Sequence, residues 1–262
     1  MTRCTAEERA LARASIYRLL ALSFSYPTSE ERAALAEALP VAAVAAELLR
    51  APIADGVEAV RAAFDSTPNG GLEPAYQHVF TLSYSEDCPL YETAFSASHI
   101  FQQASQQADI AGFFRAFGVG PQAERPDHLA MELEFVYLLA LKEARARERR
   151  ERDHIRLCRD AQRSFLRQHL ARWAPLIGQR IAVTGAGSLY GAAGQLLVAF
   201  CDYEQRFLRL GQVKHYRDEP VFIADEPGEM TCAPAETAGA TVEHLPLFES
   251  AEEERRVPAT SS

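Results

Sequence analysis

Apolar residues along this chain recur at three- and four-residue intervals almost from end to end, the period of an α-helix that buries one face. Ala12, Ile16, Leu19 and Leu20 form the first stripe, opened by Thr5 and Glu8 at capping-box spacing and closed near Tyr26-Pro27. Thr28 and Glu31 repeat the box and start a second helix to about Leu39. Pro40 is expected to interrupt it before the Ala-rich run Val41 to Arg50. Further helical stretches are predicted near Val57 to Phe64 and Pro74 to Ser83, with a turn at Pro68-Asn69-Gly70-Gly71 between them. After an irregular segment, Tyr84 to Ser98, Ile110, Phe113, Phe114 and Phe117 share one stripe ahead of a stop at Gly118. Pro121 to Asp127 reads as a linker. Helices then run from His128 to about Arg150, from about Glu151 to Trp173 and from about Ser188 to Leu210. Only Ile181 to Thr184 and Val221 to Ala224 suggest strands, too few for a sheet. The predicted fold is all-α, a bundle of about ten helices over 1–211, with an N-terminal portion spanning 1–120, the linker 121–127 and a C-terminal portion spanning 128–211.

From Gln212 to Ser262 eleven acidic residues face four basic ones, so this segment carries −7 of the chain's −9. Pro, Glu, Ala and Thr dominate it, which predicts a poorly ordered acidic tail. With a near-neutral body and a pI near 5.4, nucleic acid is not an expected partner. No stretch approaches the roughly 20 apolar residues that span a membrane. The charged N-terminus lacks a signal peptide's apolar core, so a cytoplasmic protein without membrane insertion is expected. Five scattered cysteines with no C-x-x-C pair predict packing thiols rather than disulfides or zinc ligands.

Three local patterns could carry chemistry. Ile181 to Gly191 offers a glycine-rich turn before a helix, a weak signal for a phosphate cradle that leaves guanine nucleotide as a conceivable ligand; otherwise no cofactor is expected. Glu151 and His154 place a carboxylate and an imidazole on one helix face, the half-motif of a helical metalloenzyme. It occurs once, in an arginine-rich stretch where i, i+4 pairs such as Glu143 with Arg147 suit a solvated face. The third pattern is a pair of segments flanking the aromatic helix. One is Asp87-Cys-Pro-Leu-Tyr91-Glu92-Thr-Ala-Phe95, an apolar loop holding a carboxylate. The other is Glu124-Arg-Pro126-Asp127-His128-Leu-Ala-Met-Glu132-Leu-Glu134-Phe135, where Pro126 fixes the helix entry and Asp127 stands at the N-cap position. Asp127 there either caps the helix or accepts a guanidinium in a bidentate pair, with His128 adding a polar contact.

These two segments and the intervening Ala108-Asp-Ile-Ala-Gly-Phe-Phe-Arg-Ala-Phe-Gly118 resemble the TorD-like family of redox-enzyme maturation chaperones, a likeness spanning roughly Ala10 to Leu210. The Pro-Asp-His helix entry followed by Glu-Leu-Glu-Phe is its most specific feature. The resemblance implies an all-helical protein with no catalytic activity. It would bind the apo-form of a molybdopterin-containing catalytic subunit of the dimethyl-sulfoxide-reductase class, with its twin-arginine signal peptide, until the cofactor is inserted. It further implies a client-binding surface formed by Asp127, His128, Tyr91, Glu92, Pro126, Glu132 and Phe95. Helical spacing puts Glu132 and Glu134 on different faces, so at most one looks toward a ligand. Monomer and homodimer remain open, and the family pattern does not explain the acidic tail.

Overall fold

The computed structural model describes residues 4–68, 70–81, 85, 87–120 and 124–221. Their elements are α1 (Ala6–Phe24), α2 (Ser29–Leu49), α3 (Ile53–Ser66), α4 (Leu72–Phe80), α5 (Thr93–Ser96), α6 (Ile100–Ala116), α7 (Leu129–Glu148), α8 (Arg152–Gln168), α9 (Leu170–Thr184) and α10 (Leu189–Leu208). The all-α expectation holds: among the described residues extended pairing is limited to one isolated antiparallel bridge, between Tyr91 and His128. None of the described helices is long and apolar enough to cross a membrane.

α1 is the central helix, buried between α7 and α2, with Ile16, Leu19, Leu20 and Phe24 inaccessible to solvent. Its capping box forms as the spacing predicts, Glu8 N donating to Thr5 Oγ1 at 3.1 Å and Thr5 N to Glu8 Oε2 at 2.7 Å. α2 departs from expectation by running through Pro40 without a break. The proline ring removes the bond to the Ala36 carbonyl, but both residues lie on the exposed face. Leu35, Leu39, Ala42 and Ala46 bury the opposite face and carry the helix across.

The single helix expected over Glu151 to Trp173 is two. His169, at φ −127° and ψ −98°, separates α8 from α9, and its ring turns into the core toward Glu92. The expected strand Ile181 to Thr184 is instead the last turn of α9, because buried Ile181 packs where α9 crosses α10. A Cβ on Gly194 would lie 2.7 Å from the Gly178 carbonyl oxygen, and one on Gly191 would fall 2.3 Å from that of Gly185. Close helix approach therefore accounts for these two glycines of the Gly185 to Gly194 run. The other strand candidate, beyond Val221, lies outside the described residues.

A buried ion cluster ties four helices together. Arg13 of α1 donates from Nε to Glu204 Oε1 at 2.6 Å and from Nη2 to Gln162 Oε1 at 2.6 Å, and its Nη1 lies 3.3 Å from Glu143 Oε2. The Tyr17 hydroxyl donates to Glu204 Oε2 at 3.0 Å and Gln162 Nε2 to the same Glu143 Oε2 at 2.9 Å. Burial alone would lower the Arg13 pKa, but the charge and hydrogen bonding of Glu204 together with the charge of Glu143 outweigh it and the guanidinium stays ionised. Glu143 is thus buried, not on the solvated face expected of it, although Arg147 does pair with it at 2.6 Å.

The tail boundary also shifts. Residues 212–221 are fastened to the body: Tyr216 N donates to the Arg172 carbonyl at 3.0 Å and Val221 N to the Ala94 carbonyl at 2.7 Å. The Arg217 guanidinium donates to the carbonyls of Phe95 and Ala97. The rest of the expected tail, 222–262, lies outside the described residues.

Candidate functional site

The two segments singled out in the sequence meet. Across the Tyr91–His128 bridge, Glu92 N donates to the Asp127 carbonyl at 2.9 Å and Leu129 N to the Leu90 carbonyl at 2.8 Å. This joins the loop before α5 to the entry of α7. Asp127 does not cap α7. His128 is the N-cap, its Nδ1 accepting from Ala130 N at 3.2 Å, and burial lowers the imidazole's pKa so that the ring is neutral and able to accept. The Asp127 carboxylate turns the other way, toward α5, and accepts from Thr93 Oγ1 at 2.7 Å.

Asp127 also receives a guanidinium from its own chain. Arg125 donates from Nε to Oδ1 at 3.0 Å and from Nη2 to Oδ2 at 2.8 Å, a two-pronged, charge-assisted pair. The same Nη2 lies 3.0 Å from Thr93 Oγ1, and the guanidinium carbon sits 4.2 Å from the centroid of the Tyr91 ring. The Tyr91 hydroxyl points to Glu124 Oε1 at 3.4 Å, and its pKa is pushed up to about 12 by burial and then by the Glu124 charge. Gln103 of α6 donates to Thr93 Oγ1 at 3.3 Å, and the Gln107 amide of the same helix lies 2.8 Å from Arg125 Nη2, its oxygen assigned to that side because the guanidinium can only donate.

Behind this lies a second buried node. The Glu92 carboxylate accepts from the Tyr216 hydroxyl at 2.8 Å and faces His169 Nδ1 at 3.2 Å. His169 Nε2 approaches Asp109 of α6 at 3.3 Å, without hydrogen-bond geometry. Trp173 Nε1 donates to Glu132 Oε2 at 3.2 Å. Burial, reinforced by the charge and hydrogen bonding of Glu92, holds the Glu132 carboxyl well above the usual range and so favours its protonated form. Glu134 lies on another face of α7 under the influence of Arg18, as the helical spacing requires.

The structure therefore brings the seven expected residues to one place but corrects their exposure. Asp127, Glu92 and Glu132 are 0% exposed, and Phe95 and His128 are buried too; only Tyr91 and Pro126 remain half-buried. An open carboxylate-lined surface is not what the chain forms, because Asp127 is paired with Arg125 and Thr93, Glu92 with Tyr216 and His169, and Glu132 with Trp173. Sequence reasoning missed Arg125, Thr93, His169 and Tyr216. For Arg125 a signal was present, since Arg-Pro-Asp places a cation two residues from Asp127. For Tyr216, 124 residues from Glu92, there was none.

Elsewhere, Glu151 and His154 meet each other at 2.8 Å on an exposed face, and no group of three or more His, Cys, Asp or Glu side chains able to hold a metal forms among the described residues. Cys88, Cys158 and Cys201 are buried free thiols.

An all-helical body whose α7 opens on the Asp127-His128 pair agrees with the likeness to the TorD-like class. The family described as nitrate reductase delta subunit matches residues 34–178, more than half of the chain, and the chain belongs to it. It is 27% identical over 217 residues to the perchlorate reductase assembly chaperone protein of Dechloromonas aromatica (strain RCB), covering 77% of this chain and 88% of that one. It is 41% identical over 90 residues to the selenate reductase assembly chaperone protein of Thauera selenatis, covering 33% of this chain and 45% of that relative.

Proposed function

We propose that this protein is a cytoplasmic assembly chaperone, not a catalyst, for the molybdopterin-containing catalytic subunit of a dimethyl-sulfoxide-reductase-class enzyme. It binds the apo-subunit and its twin-arginine signal peptide and holds both until the cofactor is inserted. Relatives named as reductase assembly chaperones support the client class. The signal-peptide reading is carried by one observation: the Asp127 carboxylate, the Thr93 hydroxyl and the Tyr91 ring together surround a guanidinium, at a place where Tyr91, Arg125 and Glu124 reach solvent. A carboxylate fork under an aromatic face discriminates arginine from lysine, because only a planar guanidinium can bond in two parallel prongs and stack.

Two synthetic peptides test this, one with adjacent arginines followed by an apolar run and one with lysines in their place. The arginine peptide binds in a fluorescence-anisotropy titration, and the lysine peptide binds about tenfold or more weakly, the loss of roughly 1.4 kcal/mol in a charge-assisted pair. Equal affinity for the two peptides, or none for either, sinks the signal-peptide reading. Co-purification of a molybdoenzyme subunit from the native host tests the client class separately.

A further inference from the structure

We infer that Arg125 is a resident occupant of a guanidinium-binding site built by Asp127, Thr93, Tyr91 and Gln107, and that an arginine-bearing ligand binds there by displacing it. This rests on the signal-peptide reading only for the identity of the ligand. The site itself is legible in the contacts of Arg125. Four groups from three separate stretches of chain converge on one guanidinium: the Asp127 fork at 2.8 and 3.0 Å, the Thr93 hydroxyl at 3.0 Å, the Tyr91 ring at 4.2 Å and the Gln107 amide oxygen at 2.8 Å.

The receiving groups are far better anchored than the cation they receive. Asp127 is wholly buried and pinned through its backbone to Glu92, and Thr93 is buried at the start of α5. The Arg125 side chain, by contrast, remains 35% exposed on the connection leading into α7. Turning that one side chain outward leaves a preformed, acid-floored pocket with an aromatic wall. A partly exposed pair of this kind is weak enough to exchange, whereas a permanently empty buried carboxylate would be costly. Arg125 thus keeps Asp127 neutralised while no ligand is present.

The helix on the far wall is suited to such exchange. The apolar grip of α6 lies in its C-terminal half, at Ile110, Phe113 and Phe114. Its N-terminal half is held to this site by polar contacts, Gln103 to Thr93, Gln106 to Ser96 and Gln107 to Arg125. The Gln107 contact re-forms with a new guanidinium at little net cost, and the other two are untouched by the exchange.

The test empties the site. Arg125→Ala melts below the wild type, and methylguanidinium chloride at low millimolar concentration raises its melting temperature by several degrees while leaving the wild type unmoved. Tetramethylammonium chloride at the same concentration leaves both proteins unmoved, and the rescue vanishes in Arg125→Ala/Asp127→Asn. If Arg125→Ala fails to fold, Arg125→Lys, which keeps charge and stem but loses the fork, takes its place. Identical responses of variant and wild type to methylguanidinium overturn the site.

The arginine peptide separates the two levels of the claim. With the competitor removed, its affinity for Arg125→Ala rises about tenfold, as expected when the binding-competent fraction increases. Equal affinity for variant and wild type overturns displacement and leaves the signal-peptide reading intact. Methylguanidinium rescue without peptide binding to any variant keeps the site and sinks that reading instead.

Discussion

The hydroxyl of Tyr216 donates to Glu92 Oε1 at 2.8 Å, so a residue beyond α10 completes the buried node beneath the two bridged segments. Arg172 stacks on the outer side of the same ring, 3.9 Å from its centroid. Tyr216→Phe keeps the ring and removes one hydrogen bond to a buried carboxylate, a loss of about 1.5–3 kcal/mol. Urea denaturation measures it as a lower midpoint at unchanged slope. An unchanged midpoint would mean that water replaces the hydroxyl.

Glu132 sets the pH dependence of the same node. Its folded-state pKa is raised, so the native protein retains a proton that the unfolded chain releases above the ordinary glutamate range. Stability is therefore fully present at acidic pH and declines as pH rises from that range through the raised value. Glu132→Gln fixes the neutral form and still offers the Trp173 indole an acceptor. The variant gains more in melting temperature over the wild type at pH 8 than at pH 5; the reverse order would refute a protonated Glu132.

Arg13 offers a sharper loss. Arg13→Met removes the cation that neutralises Glu204 and leaves that acid buried without a counter-charge, while Glu143 keeps Arg147, at a cost of about 3–5 kcal/mol. Pairing it with Glu204→Gln recovers some of that cost, because one uncompensated charge disappears. Equilibrium unfolding of the two variants shows the coupling as a departure from additivity.

Two glycines in helices should respond in opposite directions. Gly194→Ala forces a methyl to within 2.7 Å of the Gly178 carbonyl oxygen where α9 crosses α10, and destabilises by about 1–3 kcal/mol. Gly112→Ala in α6 has open space around the new methyl and stabilises by about 0.5–1 kcal/mol through helix propensity. Calorimetric melting of both proteins checks the contrast.

Much of the architecture could be read from the chain because helix formation is local. The capping box at Thr5, the hydroxyl cap at Thr28, the stripe on α1 and the stop at Gly118 all act within one or two turns, and they predict helices where helices stand. The errors fall where a distant contact outweighs a local preference. Pro40 stays helical because the buried side of α2 holds, His169 breaks a continuous pattern because Glu92 draws its ring inward, and Ile181 is helical because α10 lies against it.

The sequence by itself determined an all-helical fold, the ends of α1, α7 and α10 to within a few residues, and the neighbourhood of Tyr91, Glu92, Asp127 and His128 as the place of interest. Only the tertiary structure decided which of those side chains face solvent and what each is paired with. Periodicity reports that a residue lies on an apolar face, but a carboxylate stays buried only when a partner from elsewhere offsets its desolvation. For Asp127 that partner is Arg125, two residues away. For Glu92 it is Tyr216 and His169, and for Glu204 it is Arg13, 191 positions earlier, separations that no local pattern encodes.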